Sequence, residues 1–325
     1  MAMHAIVVVR DEADVVGEML THTLEWADEI TVFDSGSVDT TWDIVQEMAS
    51  RERGIHALES RPVYFSSAVR GYVFEADFEV MTRCEWLVLS EADEFYATVL
   101  TEFVREFTKP SDGQVFKHAF NSVFTHSLAS AWESDRAGCG LSAGSVRERG
   151  MPFVENTFEE PRMYRYRRGM CWPAGLNSPL RGGLPCSRRI VIEHYPVRDP
   201  VQASKRFVLR NEMRRRKLEK GLTGGGHWAQ DDWRDSVRPD DDPEVWSRDR
   251  VAALARDASA SRSLRAAKVR SKIIVPGVYQ VFAGLADAVK PCPGVGFDLE
   301  PIPDDVQSRV ASGYAEAAEP PRFGA

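Results

Sequence analysis

Within its first hundred residues this chain switches repeatedly between two hydrophobic periods. Short runs rich in Val, Ile, Leu and Phe alternate with longer stretches carrying an apolar residue every three or four positions. Few folds admit that pattern: the short runs suit strands, and helices between them serve as parallel crossovers. It predicts an α/β fold, an open and mostly parallel sheet flanked by helices. Strands are expected at 4–9, 29–33, 54–58 and 85–89, and helices at 14–26, 39–53 and 67–82. A polar loop follows each strand, at Arg10, Asp34, Pro62 and Ser90. Ligands of open sheets collect outside the carboxyl ends of the strands, so these loops are expected to share one crevice.

From about Val99 to Pro196 the pattern is less regular, with strands expected at 113–120 and 188–193 between loops rich in Gly, Pro and Ser. This part is expected to complete the sheet and to form a second ligand's pocket. After His194 the composition shifts to a long charged helix, QASKRFVLRNEMRRRKLEK, a flexible GLTGGG break and an acidic linker, RPDDDPEVW, before more helix. The final AEAAEPPRFGA reads as a poorly ordered tail. No internal repeat is evident.

Composition narrows the function classes. Of 325 residues, 43% are hydrophobic, enough for a sizeable core, and 49 acidic against 41 basic residues leave a net charge of −8. Attraction of the whole molecule to nucleic acid or anionic lipid is therefore not expected, and an anionic ligand must be held by local positive charge. Cys84, Cys139, Cys171, Cys186 and Cys292 are odd in number and contain no C-x-x-C, which reads as reduced thiols of a cytoplasmic protein. The apolar run near the amino terminus stops at Arg10 and Asp11, too soon for a signal peptide. The stretch 273–289 falls just short of a membrane span and is interrupted by Pro276, Gln280 and Asp287, so a buried helix is expected there.

Three loops carry candidate chemistry. In Asp34-Ser35-Gly36-Ser37-Val38-Asp39-Thr40-Thr41, Gly36 permits a tight turn and Ser37 or Asp39 can cap the next helix. Such a loop is ordinary strand-turn-helix chemistry, or else Asp34 and Asp39 accept hydrogen bonds from a nucleotide. In Ser90-Glu91-Ala92-Asp93-Glu94-Phe95 an extended chain would point Glu91 and Asp93 to one side and Glu94 to the other. Two carboxylates sharing one volume suit Mg²⁺ or Mn²⁺ bound together with a ligand's phosphates; the plain alternative is an acidic surface turn. Arg70, early in a predicted helix, either pairs with phosphate or with those carboxylates, or lies on a solvated face.

In order and spacing these segments resemble a family-two-type glycosyltransferase with the GT-A, nucleotide-diphospho-sugar transferase fold. Val9-Arg10-Asp11-Glu12 resembles V-[RK]-N-E, and the segment 34–41 resembles D-x-G-S-x-D-x-T. Arg70-Gly71 resembles an R-N pair, and Glu91-Ala92-Asp93-Glu94-Phe95 resembles D-A-D-E-F. Arg162-Met163-Tyr164-Arg165 is similar to R-L-F-R, and His194-Tyr195-Pro196-Val197-Arg198 to H-Y-x-x-R. The similarity covers about residues 4 to 215. It implies a GT-A-like domain at 1–200, followed by a helical region at 201–325 that serves the acceptor site or oligomerisation.

The resemblance implies transfer of a sugar, with inversion, from a UDP-, GDP- or dTDP-sugar to a hydroxyl of a soluble small molecule or saccharide. Arg10, Glu12, Asp34, Asp39, Arg70 and Asp93 would bind the nucleotide, and Asp93, Glu91 and His194 would hold Mn²⁺ or Mg²⁺. Arg198 and Lys205 would neutralise the diphosphate. Two departures bear on mechanism. Glu91 replaces the first Asp of the usual D-x-D. Asn177-Ser178 stands where relatives carry His-Glu, which leaves Glu155, Glu159, Glu160 and His227 as candidates for the base. Trp132, Trp172, Trp228 and Trp233 are candidates for stacking on the acceptor.

Two other functions compete. One is a sugar-nucleotide-binding protein without catalysis, suggested by Glu91, Asn177 and Ser178. The other is a nucleic-acid-binding protein using the basic helix 205–220, which Glu212 and Glu219 dilute. A nucleotidyltransferase is disfavoured, because Arg10-Asp11-Glu12 stands where its Gly-rich phosphate loop would be.

Overall fold

A computed structural model describes residues 1–134, 144–172, 178–179, 184–219, 233–256, 297 and 299–318. In chain order the first elements are β1 (Met3–Val9), α1 (Val16–Thr23), β2 (Glu29–Asp34), α2 (Thr41–Arg51), β3 (Ile55–Ser60), α3 (Ser67–Ala76) and α4 (Phe78–Met81). Then come β4 (Trp86–Glu91), β5 (Glu94–Tyr96), α5 (Leu100–Phe107), β6 (Asp112–Ser122), α6 (His126–Ser134), β7 (Phe153–Asn156), β8 (Pro161–Arg165) and β9 (Leu184–His194). The last are α7 (Pro200–Glu219), β10 (Val245–Trp246), α8 (Arg248–Arg256) and α9 (Asp304–Ala318).

The chain forms two compact units. The first comprises 1–120, 156–194 and 249–300, and the second 121–155, 195–248 and 301–325. The chain thus passes between them several times, whereas the sequence reading divides it once, at residue 200.

The first unit is an α/β fold built on a mixed sheet ordered β6-β8-β4-β1-β2-β3, with β9 paired to β5 and β6. Strands β1 to β4 are mutually parallel, and β8 joins β4 antiparallel. The Val-rich β1 and the apolar β2 and β4 are buried nearly throughout, as strands covered on both faces must be. Edge strand β3 is only partly buried and carries His56 and Glu59. On one side Phe33, Leu87, Leu89, Val69, Val73, Phe74, Tyr164 and Trp172 form one apolar cluster. Gly71 lies within this packing: a Cβ there would meet Phe297 at 2.4 Å and Trp172 at 3.0 Å. The residue after Arg70 therefore has no room for the Asn that the resemblance suggests.

The strand order reverses at β1. From β1 the chain moves outward to β2 and β3, then returns by α3 and α4 to lay β4 on the other flank of β1. The register sets Val9 opposite Asp34 and Val8 opposite Glu91. Asp34 and Glu91 thus end the two strands flanking β1, roughly 10 Å apart at the usual strand spacing.

Several expectations are corrected. The helix expected over 67–82 breaks at Asp77 into α3 and α4. Glu94 to Tyr96 form a strand rather than a loop. Helix α9 extends to Ala318, into the segment read as a tail. Cys171 is disulfide-bonded, against the expectation of five thiols, while Cys84 and Cys186 are free and buried. Trp132, Trp172 and Trp233 are buried, so none is a stacking surface. His227, Trp228, Asn177 and the apolar stretch 273–289 lie outside the described residues. Among the described residues no helix is long and apolar enough to cross a membrane.

In the second unit β7 and β10 pair antiparallel, and α7 packs on α9 where Gly313 meets Val208. A Cβ at Gly313 would come within 2.7 Å of the valine. Along α7 Arg215 pairs with Glu212 and Glu219, one turn to either side, so part of the basic run is internally neutralised.

Candidate active site at the carboxyl edge of the sheet

The loops after β1 and β2 are tied together by side-chain acceptors. Asp34 is fully buried, and its carboxylate accepts from the Ser37 amide at 3.1 Å, from Ser37 Oγ at 2.6 Å and from Ser60 Oγ at 2.6 Å. Its oxygens are therefore committed to shaping the loop, where the sequence reading offered them to a nucleotide. Gly36 turns the chain at φ 93, and a Cβ on it would meet the Pro62 backbone at 2.5 Å, so only glycine fits.

Asp11, directly after β1, adopts φ 54, a left-handed conformation that Asp and Asn tolerate better than other side chains. This explains why Asp serves here in place of Asn. Its amide donates to Ser37 Oγ at 2.9 Å, and its Oδ1 accepts from the Val38 amide at 2.7 Å. Glu12 donates its amide to Thr41 Oγ1, and Asp39 accepts from the amides of Thr41 and Ala13, so it ties the turn before α2 to the β1 loop while Thr40 takes the N-cap position without a side-chain bond. Arg10 is nine-tenths buried and donates to the Ser35 carbonyl at 2.9 Å and to Asp11 at 3.3 Å. Its Nη2 is buried with no hydrogen-bond partner among the described residues.

The loop after β4 obeys different physics. Strand β4 ends at Glu91 and the chain turns, so the alternation expected of an extended segment is lost. Glu91 and Glu94 converge on Arg162 instead of pointing apart. Glu94 accepts from Arg162 Nε at 2.9 Å and from Nη2 at 2.6 Å, a bidentate pair in which both residues are about 1% exposed. Glu91 Oε1 accepts from Arg162 at 3.1 Å and from Arg70 at 2.5 Å.

Glu160, just before β8, joins the same group. It pairs with Arg162 at 2.7 Å, Lys117 at 3.1 Å and Arg70 at 3.3 Å, and Lys117 also approaches Glu94 at 3.6 Å. Three cations thus meet three carboxylates. Burial by itself would raise the Glu91 pKa, but Arg162 and Arg70 outweigh it and lower the pKa to about 2, with Asp93 opposing. At Glu160 burial is likewise outweighed, by Arg162, Lys117 and Arg70, and its carboxyl is held below its ordinary range. Arg162 is buried, which disfavours its charge, yet Glu94, Glu91 and Glu160 push its pKa well above the usual value.

Asp93 is 2% exposed and lies 3.4 Å from His194 Nε2; Glu94 to Tyr96 pair with Ile192 to His194, which brings the two together. Among the described residues no three His, Cys, Asp or Glu side chains are grouped to hold a metal. The ligand set expected from the sequence is therefore reduced: Glu91 is engaged by two arginines, and Asp93 with His194 remains. They offer one carboxylate and one imidazole, whereas Mg²⁺ prefers oxygen donors.

Of the other candidates, Glu159 pairs with Arg189 at 3.4 Å in the first unit. Glu155, on β7, belongs to the second unit, as do Arg198 and Lys205. Arg198 is fully buried and donates to the Tyr195 carbonyl at 3.0 Å, so its guanidinium serves the interior of that unit. Lys205 lies on α7. The sequence reading passed over Arg162, Lys117 and Glu94 as partners. An R-x-x-R segment after a run of acids was the signal for Arg162, and nothing local marked Lys117.

No protein-family model matches the chain, and no curated protein does. Solved structures that align with the chain include a mannosyltransferase and S. aureus TarS. The mannosyltransferase PcManGT from Pyrobaculum calidifontis, in complex with GDP-Man and Mn²⁺, is 14% identical over 97% of this chain and 86% of that one, with a TM-score of 0.37. Residues 1–349 of S. aureus TarS are 14% identical over 98% of this chain and 90% of that one, with a TM-score of 0.32. The same TarS fragment in complex with UDP-GlcNAc aligns over 38% of this chain and 34% of its own, at 15% identity and a TM-score of 0.27.

Proposed function

We propose that this chain is a glycosyltransferase that moves a sugar from a nucleoside-diphosphate sugar to a hydroxyl of a small molecule or saccharide. The observation that supports this is that the Arg10–Asp11 turn follows β1 and Asp93 follows β4, where the strand order reverses, with His194 at the end of β9 lying beside Asp93. Ligands of open α/β sheets bind at such reversals.

In this proposal the loops after β1 and β2 form the nucleotide's side of the crevice. Asp34 and Asp39 hold the loop backbones, Asp11 locks the two loops together, and Arg10 contributes positive charge beside them. Arg70 acts from a distance, fixing Glu91 and Glu160. Asp93 and His194 would hold Mn²⁺ or Mg²⁺, which when bound takes up charge developing on the departing diphosphate. Inversion requires one base on the acceptor hydroxyl, within hydrogen-bond reach. Glu155, Glu159, Glu160 and His227 are the candidates for that base; at Glu160 the three cations hold the carboxyl below its ordinary range, which makes it a hydrogen-bond acceptor but a weak proton acceptor.

The test is a thermal-shift panel of UDP, GDP, dTDP and CMP, each with and without Mn²⁺. A ligand at 100 times its dissociation constant stabilises the fold by about 2.7 kcal/mol. One nucleoside diphosphate should stand out and respond to metal; a flat panel contradicts the proposal. A second reading, a sugar-nucleotide-binding protein without catalysis, draws on the engagement of Glu91 by Arg70 and Arg162. Turnover of the selected nucleotide sugar, to acceptor or to water, separates the two.

A further inference from the structure

In the first unit Trp26, Trp86 and Trp172 are buried and Trp42 is half-buried, and the more exposed rings are phenylalanines. Phe65, in the loop after β3, is 45% exposed, and Phe158, in the loop before β8, is 59% exposed. Single exposed apolar side chains are common and need no explanation. These two are related by their backing. The Arg70 guanidinium lies 5.5 Å from the Phe65 ring centre and Lys117 Nζ lies 5.9 Å from that of Phe158, and both cations pair with Glu160. Each ring is thus linked to the same carboxylate through a single cation. Arg70 and Lys117 are buried, while the side chains of Glu160 and Glu91 are 20% and 32% exposed. In this charge cluster the groups that meet water are therefore carboxylates, hydrogen-bond acceptors.

We infer that Phe65 and Phe158, together with Glu160, form the acceptor subsite, and that its occupant is a neutral sugar ring; this rests on the glycosyltransferase reading. The charges select that occupant. Arg70, Lys117 and Arg162 are buried and paired with Glu91, Glu94 and Glu160, so an anionic ligand would meet carboxylates rather than cations, while a neutral hydroxyl can donate to those carboxylates. What remains is apolar ring surface beside carboxylate acceptors. A pyranose has an apolar C–H face to lay on a phenyl ring and hydroxyls to donate to a carboxylate. A purely apolar aglycone would satisfy the rings and leave the carboxylates facing it unsolvated.

The experiment uses the full chain and saturation-transfer NMR, with the methyl glycosides of glucose, mannose, galactose and N-acetylglucosamine as probes. The nucleoside-diphosphate thermal shift is measured on the same samples. At least one glycoside should receive saturation on its ring C–H protons. That signal should fall at least fivefold in F65A and F158A and in F158L, which keeps apolar area without the ring, and persist in F158Y. The nucleotide shift should be unchanged in all four variants. Absence of saturation in the wild-type protein, or equal signals in F158L and the wild type, overturns the inference. Ring-dependent glycoside binding without any nucleotide shift upholds the subsite and removes the donor reading, so the two failures are distinguishable. The positions are exposed, and unchanged melting temperatures would show that the variants fold.

Discussion

The loops after β2 and β4 are both rich in acidic residues and both end parallel strands, yet their carboxylates are satisfied in different ways. Around β2, Asp34 and Asp39 accept from backbone amides and hydroxyls, mostly within a few residues or from the adjoining loop. Around β4, Glu91 and Glu94 are neutralised by arginines, one of them about seventy residues away in sequence. The first arrangement is a scaffold that each residue supports separately. The second is a buried charge network in which removing one member strands the rest, and such networks are more costly to break than to have replaced outright.

The largest effect should come from Arg162→Met, which leaves Glu94 buried without its bidentate partner. A loss of about 3–5 kcal/mol in urea unfolding is expected. A loss under about 1 kcal/mol would mean that the network relaxes freely and that the contrast between the loops is unfounded.

A second effect arises at the opposite edge of the sheet and must be separated from the others. Burial lowers the pKa of His4, which bonds to Thr31, from 6.5 to about 4, with Asp77 opposing. A group that stays neutral in the fold and protonates when unfolded leaves stability unaffected above 6.5 and reduces it as pH falls toward 4. By linkage the loss approaches about 3 kcal/mol. It should be absent from His4→Gln across the same titration.

Asp34→Ala comes next. It strips acceptors from the Ser37 amide and from the hydroxyls of Ser37 and Ser60, for an expected loss of about 1–3 kcal/mol. Because the scaffold is local, Arg162→Met and Asp34→Ala should be additive within about 0.5 kcal/mol in a double-mutant cycle.

Glu91→Gln should cost less at neutral pH than Arg162→Met, since Arg70 keeps Glu160 and Arg162 keeps Glu94. Its mark lies in acid. With a folded pKa near 2 against an ordinary 4.5, Glu91 contributes stability that is present above 4.5 and lost as pH falls through 2. The variant should therefore show a shallower loss of stability over that window, measured below the His4 transition. An identical slope would place the arginines' influence elsewhere.

The same contrast explains what was legible in the sequence. Strands β1 to β4 could be read from apolar runs, and the β2 loop from turn chemistry, because Gly36, Ser37 and Asp39 act on neighbours along the chain or on the adjacent loop. The β4 loop could not. Period-two alternation placed Glu91 with Asp93 and Glu94 apart, but alternation holds only while the strand continues, and β4 stops at Glu91. Arg162 then gathers Glu91 and Glu94, while Asp93 turns to His194. Long-range ion pairs leave no local signature, and neither does the choice of which aromatic residues stay exposed. Trp172 had room to pack against Phe74 and Tyr164, whereas Phe65 and Phe158 lie on loops at the edge of the sheet.

The central proposal is that Asp93, beside His194, serves a bound nucleoside diphosphate at the reversal between β1 and β4. Isothermal titration of the wild-type protein and of Asp93→Asn, with the nucleoside diphosphate selected by the thermal-shift panel and with Mn²⁺ present, tests it most directly. At least a tenfold weaker affinity in the variant, about 1.4 kcal/mol, is expected with an unchanged melting temperature in the absence of ligand. Equal affinities would contradict the assignment.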